Sequence, residues 1–258
     1  MEAWLLTALP ISMMALIALI VGILIGAIGI GGVLLVPSLT YVLGLEIHIA
    51  IATAVFTFMF SGMIGAFEYA RRDSINWEMA VWLCAGCMPG AFLGAATAWL
   101  MPAVLLQVIV GLLVIFSGLQ ALRRTHQLKE VRVNTNRNIL ILIGFLTGFG
   151  SPITGTGGPL ILVPIMIWMK SPVLMAVGLS QVIQIPIALL ATISNMTFGE
   201  IDFQKGFSLA FLLMLGVLYG ARISHKVSLE KLKTFIAYAL LIVGIFMLTK
   251  TAINLLAN

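Results

Sequence analysis

The chain is divided into ten apolar stretches, at residues 4–26, 33–44, 49–69, 78–99, 103–122, 139–150, 159–169, 173–198, 206–221 and 234–250. An α-helix needs about 20 predominantly apolar residues to cross a bilayer; 33–44, 139–150, 159–169 and, marginally, 206–221 fall short of that length. With 61% hydrophobic and only 9% charged residues, the chain cannot build a soluble surface, for which about 25% charged residues is usual. Lipid must be its solvent, and the expected fold is an all-α polytopic membrane protein of eight to ten spans. The formal charge of +5 might suit nucleic acid in a soluble domain. Here the basic residues sit in short connections between stretches, where they set orientation, so no nucleic-acid partner is expected. The start, Met1-Glu2-Ala3-Trp4, lacks a positive region and a following small-residue cleavage site. It reads as part of the first membrane segment rather than as a removed signal peptide.

A repeat organises these segments. Shifting the sequence by 126 residues aligns Ala50–Gly118 with Ala176–Gly244 without a gap. Ile75-Asn76-Trp77 then meets Ile201-Asp202-Phe203, and Gly90, Gly94 and Ala95 meet Gly216, Gly220 and Ala221. Gly29-Ile30-Gly31-Gly32 meets Gly155-Thr156-Gly157-Gly158, and Gly22 and Gly26 meet Gly144 and Gly148 once four extra residues within 149–154 are allowed. The expected division is residues 1–122, a basic linker at 123–138, and residues 139–258, each half carrying five hydrophobic segments.

Charge orients the halves. Arg123, Arg124, Lys129, Arg132 and Arg137 place the linker in the cytoplasm, which puts both termini outside. The basic 70–77 connection then lies inside while its repeat partner 199–205, with Glu200 and Asp202, lies outside. Equivalent connections face opposite sides, so the repeat is expected to be inverted. The short stretches 139–150 and 159–169 fit either two thin crossings or one re-entrant hairpin.

Paired short segments interrupted by glycine are the best sequence pointer to a transporter's binding site. The breaks are Gly26-Ala-Ile-Gly29-Ile-Gly31-Gly32 and Gly148 through Pro159, which includes Thr154, Gly155, Thr156, Gly157 and Gly158. Helices starting near Val33 and Pro159, the latter capped by Thr156 or Gly157, would aim free N–H groups at one point and hold an anion without a buried cation. The alternative for Gly22/Gly26 and Gly90/Gly94 is tight helix packing.

Polar residues inside spans are costly and therefore informative. Gln181, Gln184 and Asn195 lie along one face of the 173–198 segment, with Ser180 and Ser194 nearby, and Thr53, Thr57 and Ser61 form a comparable stripe on its repeat partner. They line a substrate path or hydrogen-bond between helices. Glu68 is expected to pair with Arg71 and Arg72, three and four residues on. Cys84 and Cys87 spell C-x-x-C within a span and read as small packing residues. His48, His126 and His225 fall in connections, and neither a metal nor another cofactor is expected.

Gly22-x3-Gly26-x2-Gly29-x-Gly31-Gly32-x4-Pro37, repeated as Gly144-x3-Gly148-x6-Gly155-x-Gly157-Gly158-x5-Pro164, resembles the signature of the TauE/SafE family of sulfite and organosulfonate permeases. The resemblance covers essentially the whole chain. It implies a transporter of a bacterial or archaeal cytoplasmic membrane that moves small sulfur-containing or organic anions, often outward, through the glycine-rich segments of both halves. The expected function is thus secondary anion transport in the lipid bilayer, with proton coupling and a dimer both compatible with the sequence. An anion channel, or a carrier of reduced sulfur using Cys84 and Cys87, is the alternative. No catalytic constellation is present, so an enzyme is not expected.

Overall fold

A computed structural model describes residues 2–29, 31–122, 136–224 and 230–256. The basic linker residues Arg123, Arg124, Lys129 and Arg132 lie outside these, as do His126, His225 and Lys226. The described chain is helical: α1 (Glu2–Ile28), a 3₁₀ turn (Gly31–Leu34), α2 (Leu35–Tyr41), α3 (Ile47–Ala70), α4 (Trp77–Leu100), α5 (Ala103–Leu122), α6 (Arg137–Thr154), α7 (Pro159–Trp168), α8 (Val173–Phe198), α9 (Phe203–Ser224) and α10 (Glu230–Leu256). Among the described residues, seven helices are long and apolar enough to cross a membrane: α3, α4, α5, α6, α8, α9 and the 237–255 part of α10. Shorter apolar helices occupy Met13–Ile28, Gly32–Tyr41 and Pro159–Trp168. At 1.5 Å per residue α7 rises only about 15 Å, half of a hydrocarbon core. Outward-facing Leu, Ile and Phe side chains cover the long helices, as on Leu112, Phe116, Phe211 and Ile242.

Helix ends follow local chemistry. Asn76 caps α4 by accepting from the Met79 N–H, and Asn136 caps α6 by accepting from Asn138. The expectation that the second break begins at Gly148 is corrected, because α6 continues through Gly148, Gly150, Ser151 and Pro152 to Thr154. Gly148 is retained for proximity: a Cβ there would collide with the Cys87 carbonyl of α4.

The largest helix contacts join the first half to the second: α4 with α6, α1 with α9, α5 with α10, α3 with α8, α4 with α8 and α3 with α9. Exchanging repeat-equivalent helices converts α1·α9 into α6·α4 and α3·α9 into α8·α4, and leaves α3·α8 and α5·α10 unchanged. The first of these seams is lined by Gly22 and Gly26 against Gly216 and Gly220, and the second by Gly144 and Gly148 against Gly86, Gly90 and Gly94. A side chain at any of these positions would strike facing backbone. These glycines therefore serve close packing.

Candidate functional site

Helix α1 stops because Gly29 adopts φ +80°, a conformation open to glycine at little cost. The carbonyls of a helix's last turn need donors, and a bilayer offers no water to supply them. The Gln181 amide donates to Ile25 O at 3.1 Å and the Tyr69 hydroxyl to Gly26 O at 3.0 Å. Gln181, expected to meet substrate, thus also completes a broken helix from across the molecule. Its Oε1 is buried with no partner among the described residues.

The second break is shorter. Gly155, at φ +64°, closes α6 by donating to Ser151 O, as does the Thr156 N–H at 3.2 Å. Thr154 Oγ1 donates to Gly150 O at 2.9 Å, and the Thr154 and Thr156 hydroxyls are bonded at 2.9 Å. Gly157 (φ +74°) and Gly158 (φ +108°) turn the chain into α7, with Pro159 in its first turn. Gly158, rather than Thr156 or Gly157, is the N-cap residue, and no side chain caps it. Its carbonyl accepts from Ile161 and Leu162; Pro159 has no N–H, so the Leu160 N–H is the first-turn donor without an intrahelical partner.

The two breaks converge on Phe58 of α3. A Cβ on Gly32 would lie 3.0 Å from Phe58 Cζ and 3.1 Å from the Thr156 carbonyl oxygen. A Cβ on Gly157 would lie 2.8 Å from Phe58 Cδ2 and 3.3 Å from Gln184 Cδ. Gln184 Nε2 donates to Phe58 O at 2.9 Å and to Ser61 Oγ at 2.8 Å. Phe58 and Gln184 are separated by 126 residues, the repeat offset, so this bond joins two positions that the offset pairs. Every residue from Ser151 to Leu160 is buried. Gly31 opens the 3₁₀ turn of the first break, Gly155 packs on Val36 and Ile51, and Gly158 on Ile187.

Other expected site residues lie apart from this cluster. Among the described residues, Thr57 bonds only within its helix, to Ala54 O at 2.6 Å. Thr53 accepts from the Asp202 N–H at 3.1 Å, and Asn195 Oδ1 accepts from the Trp99 indole at 2.9 Å, both at the end where α8 gives way to α9. Glu68 pairs with Arg72 at 3.4 Å as expected, but its second partner is Arg222 of α9 at 3.3 Å. Arg71 instead lies over the Phe67 ring. His48 lies in the first turn of α3, not in a connection, and stacks on Trp99. Cys87 is buried, its thiol directed at Cys84 O and Ile183 O. Phe58 and Tyr69 were missed by sequence reasoning. Phe58 had a signal, since the offset that aligns the halves pairs it with Gln184.

No solved structure matches the chain. A probable membrane transporter protein of Methanocaldococcus jannaschii is 27% identical, over 93% of this chain and 96% of its own. One from Bacillus subtilis is 26% identical over 90% and 98%, and one from Xylella fastidiosa is 30% identical over 71% and 73%. These relatives carry transporter names, and the family's sequence profile spans residues 14–247, including both glycine breaks and both packing seams. The chain therefore belongs to the sulfite exporter TauE/SafE family of membrane transporters.

Proposed function

We propose that the protein exports a small anion, such as sulfite or an organosulfonate, by alternating access between two inverted repeats with the 123–138 linker in the cytoplasm. The observation that carries this reading is the meeting of Gly32, Thr156 and Gly157 with Phe58 and Gln184 beside the uncapped start of α7. The N–H groups of a helix's first turn and its positive dipole end favour a negative ligand. The residues that meet here are uncharged, so the backbone supplies the positive potential, with the Thr154 and Thr156 hydroxyls and the Gln184 amide as neighbouring polar groups. Gln181 Oε1, an acceptor without a partner among the described residues, suits a ligand that also carries a proton, as a hydrogen oxyanion does. A negative cell interior drives monovalent anions outward, at about 2.3 kcal/mol per 100 mV.

Reconstituted flux tests the reading with sulfite, thiosulfate, sulfoacetate, sulfate and lactate, each with and without a pH gradient. Saturable uptake with counterflow of a sulfur oxyanion is expected. If none of these anions moves, and none raises the melting temperature of the solubilised protein, the anion site is refuted. Unitary current without counterflow would make the protein a channel. For a reduced-sulfur carrier, Cys87 is placed unfavourably, its thiol buried against the Ile183 carbonyl.

A further inference from the structure

The polar contacts at the two ends of the α3·α8 crossing follow the repeat as well. The offset of 126 residues carries Glu68 onto Ser194 and Tyr69 onto Asn195. Glu68 Oε1 accepts from Arg222 at 3.3 Å, and Tyr69 OH lies 3.2 Å from Ser224 Oγ. Arg72, paired with Glu68, also donates to Ala221 O at 2.8 Å. All of these reach the last turn of α9. At the equivalent positions Ser194 donates to Phe92 O at 3.0 Å and Asn195 accepts from Trp99 at 2.9 Å. Trp99 lies in the last turn of α4, the repeat partner of α9, and Phe92 about two turns before it. Each set stands 10 or 11 residues from the Phe58–Gln184 bond, about 15 Å along its helix.

We propose that these contacts are the two gates of the transport cycle: an ionic latch at Glu68–Arg72–Arg222 on the cytoplasmic side, and a neutral amide–indole latch at Asn195–Trp99 on the opposite side. The proposal rests on the inverted topology and alternating access argued above. Both latches are formed in this structure, and Phe58, Ser61, Gln184, Ile187, Ala188 and Ala191, which lie between them, are buried. Their chemistry differs in one consequential way. Salt weakens ion pairs that retain contact with water, and the Arg222 side chain is 54% exposed. Amide–indole hydrogen bonds have no such dependence. Ionic strength therefore acts on one gate only.

The test uses the full chain with Cys84→Ala and Cys87→Ala, a single reporter Thr57→Cys, and a membrane-impermeant maleimide applied to right-side-out or inverted vesicles. Arg222→Gln is the primary variant, because that exposed side chain can be removed without opening the core. Glu68→Gln is the second. Each is expected to raise cytoplasmic-side labelling about tenfold without raising labelling from outside, and 0.5 M KCl should do the same to the parent. Trp99→Phe should raise labelling from outside and be insensitive to salt. Melting temperature in detergent monitors folding, and a variant that no longer melts cooperatively is replaced by the second at that gate. The proposal is overturned if variants at both ends open the same side, or if neither changes labelling. The assay needs no substrate, so side-specific labelling alongside absent flux would refute the anion site and keep the gates.

Discussion

Gln184 holds Phe58 O and Ser61 Oγ with one amide, and its removal is expressed both in stability and in binding. Gln184→Leu removes both bonds, leaving Ser61 Oγ with its own donation to Phe58 O at 3.2 Å, and is expected to cost about 1 kcal/mol. It should also abolish the anion-dependent rise in melting temperature. Retained anion stabilisation in a folded Gln184→Leu protein would remove the amide from the site. Asp202, ahead of α9, gives a pH-dependent test. Its partial burial raises the carboxyl's pKa, but the Lys205 ammonium and the Lys205 and Gln204 N–H groups outweigh that and hold it below the usual carboxylate range. A folded pKa below the unfolded one contributes stability above about pH 4, which is lost as pH falls through the folded value. Asp202→Asn should therefore melt below the parent near neutrality, and the gap should close in acid. A gap that persists undiminished at pH 3 would refute this. Sequence alone marked Gln181, Gln184 and Asn195 as one stripe. It could not show that Gln181 completes α1 and that Asn195 holds Trp99, because those partners lie 156 and 96 residues away.

The glycines of α6 divide by what faces them. Gly148→Ala would force a methyl group into the Cys87 backbone, whereas at Gly150 the new atom would meet only the Ile161 Cδ1 end of a flexible side chain. Thermal unfolding in detergent should show a loss of about 1–3 kcal/mol for Gly148→Ala, as for other overpacked sites. Gly150→Ala should lie within about 1 kcal/mol of the parent, since alanine also favours the helix. Equal losses would mean that the α4·α6 seam is looser than described. The number, spacing and approximate limits of the long helices were legible from hydropathy. The length of α6 was not, because Gly-x3-Gly fits a helix interruption and a close crossing equally well. Only the helix opposite decides between them, and nothing near Gly148 in sequence names α4.

At the scale of the molecule, the glycine seams of each half close on the other half. Residues 1–130 and 131–258 expressed as separate chains should each fail to give a monodisperse species, and should copurify as one when coexpressed. A stable, monomeric half would contradict this pairing. The repeat itself was readable as a gap-free offset, but such an offset is silent on whether α1 packs beside α4 or α9. It does pair Phe58 with Gln184, which meet across the α3·α8 crossing. That meeting has a historical consequence. In a symmetric dimer, a residue on the two-fold axis can face only its own copy, so phenylalanine meets phenylalanine and glutamine meets glutamine. On the proposed inverted-repeat reading, the pairing of Phe58 with Gln184 could be fixed only once the two copies were separately encoded, when the two axial codons became free to diverge. Duplication thus made available an asymmetric centre that no homodimeric ancestor could encode.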